Sequence, residues 1–226
     1  MSLIGKKSAV ISLGSSCQTA FQLGQHAGLL SKAMGDELAW SRLPFDWTTA
    51  SPADASGWLR GPLRFPQSAE ALVPVGIKPA GFLWPEHGVY FWHDFQTPDG
   101  VDVAGTFEHT QNMYLRHFRK LKKLGDLDQV VAVVSNTQHN LGDLLPGANL
   151  SYRQDDIVRL KAVFERMIGR SCRMLFVTRD DRCTAGVTNL ADRDITVVRI
   201  ADDASSWTGN NETWEKILTD YFAMAD

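Results

Sequence analysis

The chain has 226 residues, of which 44% are hydrophobic and 22% charged, with a formal net charge of −3. That length can bury a substantial core, and the charge balance carries no basic footprint for nucleic acid or an anionic membrane. No apolar run approaches the ~20 residues of a membrane helix, and no signal-peptide pattern precedes the first strand-like run, so the expectation is a cytoplasmic protein without nucleic-acid or membrane partners.

Residues 8–13, "SAVISL", are short, apolar and partly β-branched, and Gly14 stops them, which predicts a buried strand. Ser15 and Ser16 offer N-cap hydroxyls for a helix from about Cys17 to Leu30, with Ala20, Phe21, Gly24, Ala27 and Gly28 on one face. From about 35 to 107 the pattern breaks up: prolines recur, and five of the seven tryptophans (Trp40, Trp47, Trp58, Trp84, Trp92) fall here. This predicts short helices and loops, with a hairpin of residues 88–95 and 101–107 around the turn-forming "QTPDG". A segment this irregular inside a domain is usually functional or a subdomain.

Regular pattern returns with a helix from His109, its stripe formed by Met113, Leu115, Phe118, Leu121 and Leu124, with cations late and Gly125 as a stop. "QVVAVVS" (129–135) reads as a strand covered on both faces. A helix at 154–168, strands at 173–178 and 195–200, and a terminal helix capped by Asn210 or Asn211 complete the chain. This alternation predicts one α/β domain over residues 1–226: a three-layer, mainly parallel, Rossmann-like sheet of about four to five strands flanked by helices, with the Trp- and Pro-rich segment inserted after the first strand–helix unit. The strands at 8–13, 129–135, 173–178 and 195–200 should be its neighbours.

Sites in such sheets lie where strands end and loops lead into helices, and Gly14, Ser15, Ser16 and Cys17 occupy that place after the first strand. A thiol in the first helical turn faces unpaired N–H groups and the positive end of the helix dipole, both of which favour thiolate. The same turn can cradle an anion through its amides. Equally, free cysteine is a small hydrophobe that fills gaps between helix and sheet. With only Cys17, Cys172 and Cys183, and none at Cys-x-x-Cys or zinc-ligand spacing, reduced thiols are expected, with no metal and no cofactor. "GSSCQT" lacks both the dinucleotide-binding glycine pattern and the acidic residue of a Gly-Asp-Ser hydrolase.

A nucleophilic cysteine needs a base and a group to orient it. His93, in "YFWHDF" beside Asp94, is one candidate, and a satisfied core histidine is the alternative reading. His139, in "SNTQHN" after the buried strand, is the competing base, with Asn136 and Asn140 placed to orient an imidazole or donate to an oxyanion, or simply to form a turn. His26 and His117 read as surface residues of amphipathic helices. In "RLPFDW" (42–47), Phe45 and Trp47 can anchor the path, and Asp46 is either a turn acceptor or a pocket carboxylate.

Taken in order, "SLGSSCQTAFQL", "RLPFDW", "HDF", "YLRHFRKL" and the ending "SSWTGNNETWEKIL" resemble the papain-like cysteine peptidase family, a domain of unknown function. The resemblance implies Cys17 as nucleophile and His93 as base, with Asp46 and Asp94 as acidic companions. A papain-type enzyme would carry its His and Asn on a largely antiparallel barrel, whereas the alternation here predicts a parallel sheet; the chemistry is therefore carried over and the papain fold is not. The expectation is a thiol hydrolase or acyl transferase acting on a small-molecule or peptide substrate, its site roofed by the insertion, with Trp47 and the residues 14–16 contacting ligand. The alternative is a non-catalytic or transferase-associated module that binds a sugar, a nucleotide or another anion.

Overall fold

The computed structural model describes the chain except residues 77–80, 145–147, 149, 185, 188, 189, 191, 202–205, 225 and 226. Pro79 of the insertion and Ser205 of the Trp-containing ending thus lie outside the described residues. In chain order the elements are β1 (Ser2–Ile4), β2 (Ser8–Ser12), α1 (Cys17–Gln25), α2 (Ala27–Met34), β3 (Ala39–Ser41), β4 (Thr48–Thr49), α3 (Pro52–Arg60), β5 (Val73–Val75), β6 (Gly81–Trp84), β7 (Val89–Phe91), β8 (Gln96–Thr97), β9 (Gly100–Val101), α4 (Val103–Lys122), β10 (Gln129–Ser135), α5 (Leu141–Leu144), α6 (Gln154–Ile168), β11 (Arg173–Arg179), β12 (Ile195–Ile200) and α7 (Asn211–Ala223).

The main sheet runs β12-β11-β10-β2-β1-β3. Its first four strands are parallel, with Val131 level with both Val10 and Arg173 and Phe176 level with Val197. These are the four apolar runs expected to be neighbours. The sheet is nevertheless mixed and has six strands, because β1 and β3 add antiparallel to the edge beyond β2. Period-two alternation splits the strand residues between two cores. Ala9, Ile11, Ala132, Val134, Met174 and Phe176 face α3, α4 and α6, while Val10, Val131, Val133, Leu175 and Val177 face α1, α2 and α7. Among the described residues, no helix is long and apolar enough to cross a membrane.

The insertion departs from expectation. Its centre is a second, antiparallel sheet, β4-β7-β6-β5, and the hairpin around "QTPDG" is the two-residue pair β8–β9. Residues 103–107, read as a strand, open α4 instead, because the Asp102 carboxylate accepts from the Gly105 N–H and caps the helix. This lobe does not keep a core of its own. Trp58 is fully buried with its ring edge-on to Phe45 and to Phe118, each at 5.0 Å between centres, so its aromatics join the core of the main sheet.

Two helices also differ. The expected helix 17–30 breaks at His26, which leaves helical geometry between α1 and α2. Gly24 lies at the closest approach of Trp40, whose indole occupies the space a side chain there would need. On α4 the buried residues are Thr110, Tyr114, His117, Phe118 and Leu121, so the stripe includes Tyr114 in place of Leu115, and His117 is a core residue, not a surface one. At the last helix the cap is Asn210, which accepts from the Thr213 N–H.

Candidate active site

The turn after β2 is built from two successive residues in the left-handed region, Gly14 at φ 93° and Ser15 at φ 63°. Glycine is required at the first, where a side chain would press on Phe45, and the non-glycine residue at the second carries about 1 kcal/mol of strain. Tertiary bonds hold the turn against that strain. The Ser15 N–H donates to the Ala50 carbonyl at 3.2 Å, and the Tyr152 hydroxyl donates to Ser15 Oγ at 3.0 Å. Ser16 is the N-cap residue of α1, but its hydroxyl donates to the Ser135 carbonyl at 3.2 Å and does not cap the helix.

Cys17 is therefore the first residue of α1, as expected, with its own N–H directed at its sulfur. The expected thiolate is not favoured. Burial pushes the Cys17 thiol up to about 12, the nearby Asp94 carboxylate adds to this, and the residue's own amide opposes it only in part. Cys17 is 6% exposed.

Cys17 and His93 nonetheless face the same space. A cavity of about 290 Å³ is walled by both, together with Thr49, Trp92, Gln138 and Trp207. Asn140, Leu141 and Leu144 close its other side, and no Asp, Glu, Lys or Arg is among the described lining residues. His93 reaches it because β7 ends at Phe91 and the chain bends at 92–95, with Phe95 at φ 67°. Phe91 and Phe95 stay in the core, while His93 turns outward and is exposed. Its ring meets the half-buried Trp47 edge-on. Partial burial lowers the His93 pKa, with Asp94 pulling it upward and Arg42 downward, so the imidazole is neutral at neutral pH. Among the described residues no hydrogen bond joins the Cys17 sulfur to an imidazole.

Asp94 is buried and accepts from Arg42 Nη2 at 3.1 Å and the Tyr114 hydroxyl at 2.8 Å. Burial nevertheless raises its pKa. Its two oxygens are thus engaged by α4 and by the 42–47 segment, not by the His93 ring. Asp46 is the turn acceptor of its two readings. It is fully buried and accepts from the Ser2 N–H at 3.1 Å, the Ser2 hydroxyl at 2.7 Å and the Leu43 N–H at 2.9 Å. It ties "RLPFDW" to β1, and it is not among the cavity walls.

The loop after β10 divides its residues similarly. Asn136 donates to the carbonyls of Leu150 and Arg182 and accepts from the Arg179 N–H, so its amide is spent on crossing three chain segments. His139 is half-buried and also lies outside the cavity walls; its carbonyl accepts from Arg182 Nη2. The walls come from its neighbours. Gln138 Nε2 donates to Asn140 Oδ1 at 2.8 Å, which leaves Gln138 Oε1 as an acceptor and Asn140 Nδ2 as a donor without partners among the described residues.

Trp92, Trp207, Thr49 and Gln138 were not read as site residues. Trp207 is brought in by α1: Gln18 Nε2 donates to its carbonyl at 3.1 Å, Gln22 Nε2 donates to the Thr208 carbonyl at 2.6 Å, and Phe21 packs on its indole. Two glutamines one turn apart on a buried helix face are the available signal, since a buried amide must find a partner. Comparison with protein-family models, with curated proteins and with solved structures finds no match to this chain.

Proposed function

We propose that the chain is a thiol hydrolase or acyl transferase, with Cys17 as nucleophile and His93 as base at the carboxyl end of a three-layer sheet. The observation that carries this reading is the shared cavity: a thiol at a tethered strand–helix turn and a neutral imidazole from a distant segment wall one small pocket. The pair rests as thiol and imidazole, not as an ion pair, so proton transfer accompanies attack. His93 takes the Cys17 proton as sulfur bonds to the carbonyl carbon. The oxyanion meets the first-turn amides of α1, which no side chain caps. The leaving group departs with the proton from His93, and water or an acceptor hydroxyl or amine then cleaves the thioester and restores the thiol.

The uncharged walls favour a neutral acyl substrate whose apolar part lies between Trp92 and Trp207, with Gln138 and Asn140 offering one acceptor and one donor. The papain-like peptidase resemblance supports the same two residues. Peptide-bond cleavage is a narrower claim than the site's chemistry supports.

A panel of activated esters and thioesters, followed by intact mass, tests the reading. An acyl adduct on Cys17 that vanishes in Cys17→Ser and forms at least about tenfold more slowly in His93→Ala is expected. A binding module is favoured by one observation, the protonated and nearly covered thiol. If no electrophile of the panel labels Cys17 while a neutral ring compound stabilises the fold, the module is the correct reading.

A further inference from the structure

We propose that the groove between the C-terminal ends of α3, α4 and α6 is a binding site for a compact, multiply charged phosphate compound. The groove has a volume of about 660 Å³, and Arg60, Arg64, Arg119, Lys122 and Arg166 line it without any carboxylate among the described lining residues. The chain as a whole has 26 acidic and 23 basic side chains, so this concentration of one sign runs against its composition. It lies at the opposite end of the sheet from Cys17, because α4 and α6 lead from the groove toward the first residues of β10 and β11. It is therefore independent of the proposed enzymatic reading.

A single cation in the last turn of a helix is the ordinary response to the helix dipole. Here three helices end together, with Arg60 closing α3, Arg119 and Lys122 in the last turn of α4, and Arg166 in that of α6. The three helix ends supply only about half a negative charge each, less than the five cations carry, and among the described residues none of the five enters an ion pair. Arg64 is held ready for one. Its Nη1 donates to the carbonyls of Trp58, Leu59 and Gly61 at 2.9, 3.2 and 2.8 Å, and its guanidinium lies over the Phe118 ring at 5.2 Å. That fixes the plane of the fork, and Nε and Nη2 have no acceptor among the described residues. A fixed guanidinium fork matches phosphate oxygens, and four of the five cations are arginines.

The size of the groove points to a small ligand. Its floor is apolar, from Leu59, Phe118, Val163 and Met167, which accommodates the carbon skeleton of a phosphate ester. The basic surface continues into a second depression that shares Arg119, Lys122 and Arg166, adds Lys123, and contains one carboxylate, Asp126. Positive charge therefore covers one end of the molecule and does not track along it as a nucleic-acid backbone would require.

Titration calorimetry with inorganic tripolyphosphate and with orthophosphate tests the site. The variants are Arg119→Gln/Arg166→Gln, which removes two exposed groove cations, and Lys6→Gln/Arg153→Gln, which removes two exposed cations elsewhere. The expected result is saturable tripolyphosphate binding, weaker for orthophosphate, that falls about tenfold or more in the groove variant and less than about twofold in the other. Absence of tripolyphosphate binding, or equal loss in both variants, would overturn the proposal. So would displacement of tripolyphosphate by a DNA duplex or a glutamate-rich peptide at lower concentration than a phosphorylated sugar, because the occupant would then be a macromolecule. Circular dichroism checks that both variants keep the fold, as expected because Arg119 and Arg166 are exposed and make no side-chain hydrogen bond among the described residues.

Discussion

Trp47 meets His93 edge to face, with ring centres 5.0 Å apart and planes at 73°. The contact joins the two most aromatic motifs of the insertion and shelters one side of the imidazole. Partial burial is the main cause of the lowered His93 pKa. Trp47→Ala should therefore move that pKa upward, toward the ordinary imidazole value, and shift the acid limb of any Cys17-dependent reaction to higher pH. NMR titration of the His93 ring protons checks both proteins; a wild-type value above that of the variant contradicts the assignment.

Alkylation of Cys17 by iodoacetamide should be slow at neutral pH and rise roughly tenfold per pH unit, because only the thiolate reacts and burial holds the thiol near about 12. Asp94→Asn removes the carboxylate that works against the thiolate and should speed labelling. Peptide mapping, which separates Cys17 from the exposed portion of Cys183, supplies the measurement.

Acid should destabilise the fold through His117. It is 7% exposed, and burial, with Arg42, Lys120 and Arg116 adding repulsion, depresses its pKa to about 4. An unfolded chain takes up this proton near pH 6.5 and the folded one does not, so stability is full above that pH and falls as pH drops toward 4. The loss is about 2–3 kcal/mol. Urea unfolding of wild type and His117→Gln over that pH window should show the slope in the first and a flatter profile in the second.

Asp46→Ala should lower stability by about 3 kcal/mol, since it leaves the donors of Ser2 and Leu43 buried without an acceptor. Thermal melting checks this. At temperatures where the variant is folded, labelling of Cys17 should not fall, since the Asp46 charge also works against the thiolate, and this separates a tie between β1 and the 42–47 segment from a catalytic role.

The four parallel strands were legible because each is an apolar, β-branched run covered on both faces, a pattern few other environments produce. The antiparallel additions were not: β1, β3 and β4 have two or three residues, too few for any period to emerge. The start of α4 was missed because "VDV" alternates like a strand, and only the Asp102 bond to Gly105 makes it a helix cap. For the site, local sequence was enough to locate Cys17 on its turn, but it left His93 and His139 both open as the base. It could not distribute the carboxylates and amides, because Asp46, Asp94 and Asn136 are held by partners 14 to 52 residues away. His117 escaped for a related reason: one position on a helix separates a wet face from a dry one.

The turn that carries Cys17 draws its bonds from Ala50, Ser135 and Tyr152, and the wall opposite comes from Trp207. During synthesis the thiol leaves the ribosome before Ala50, Ser135, Tyr152 and Trp207, which later surround it. A nascent chain therefore carries Cys17 on an untethered segment, without the neighbouring β10, the hydroxyl of Tyr152 or the cover of Trp207. The pocket comes into being only once Trp207 has been made, so its chemistry is withheld from any chain that stops short of that residue.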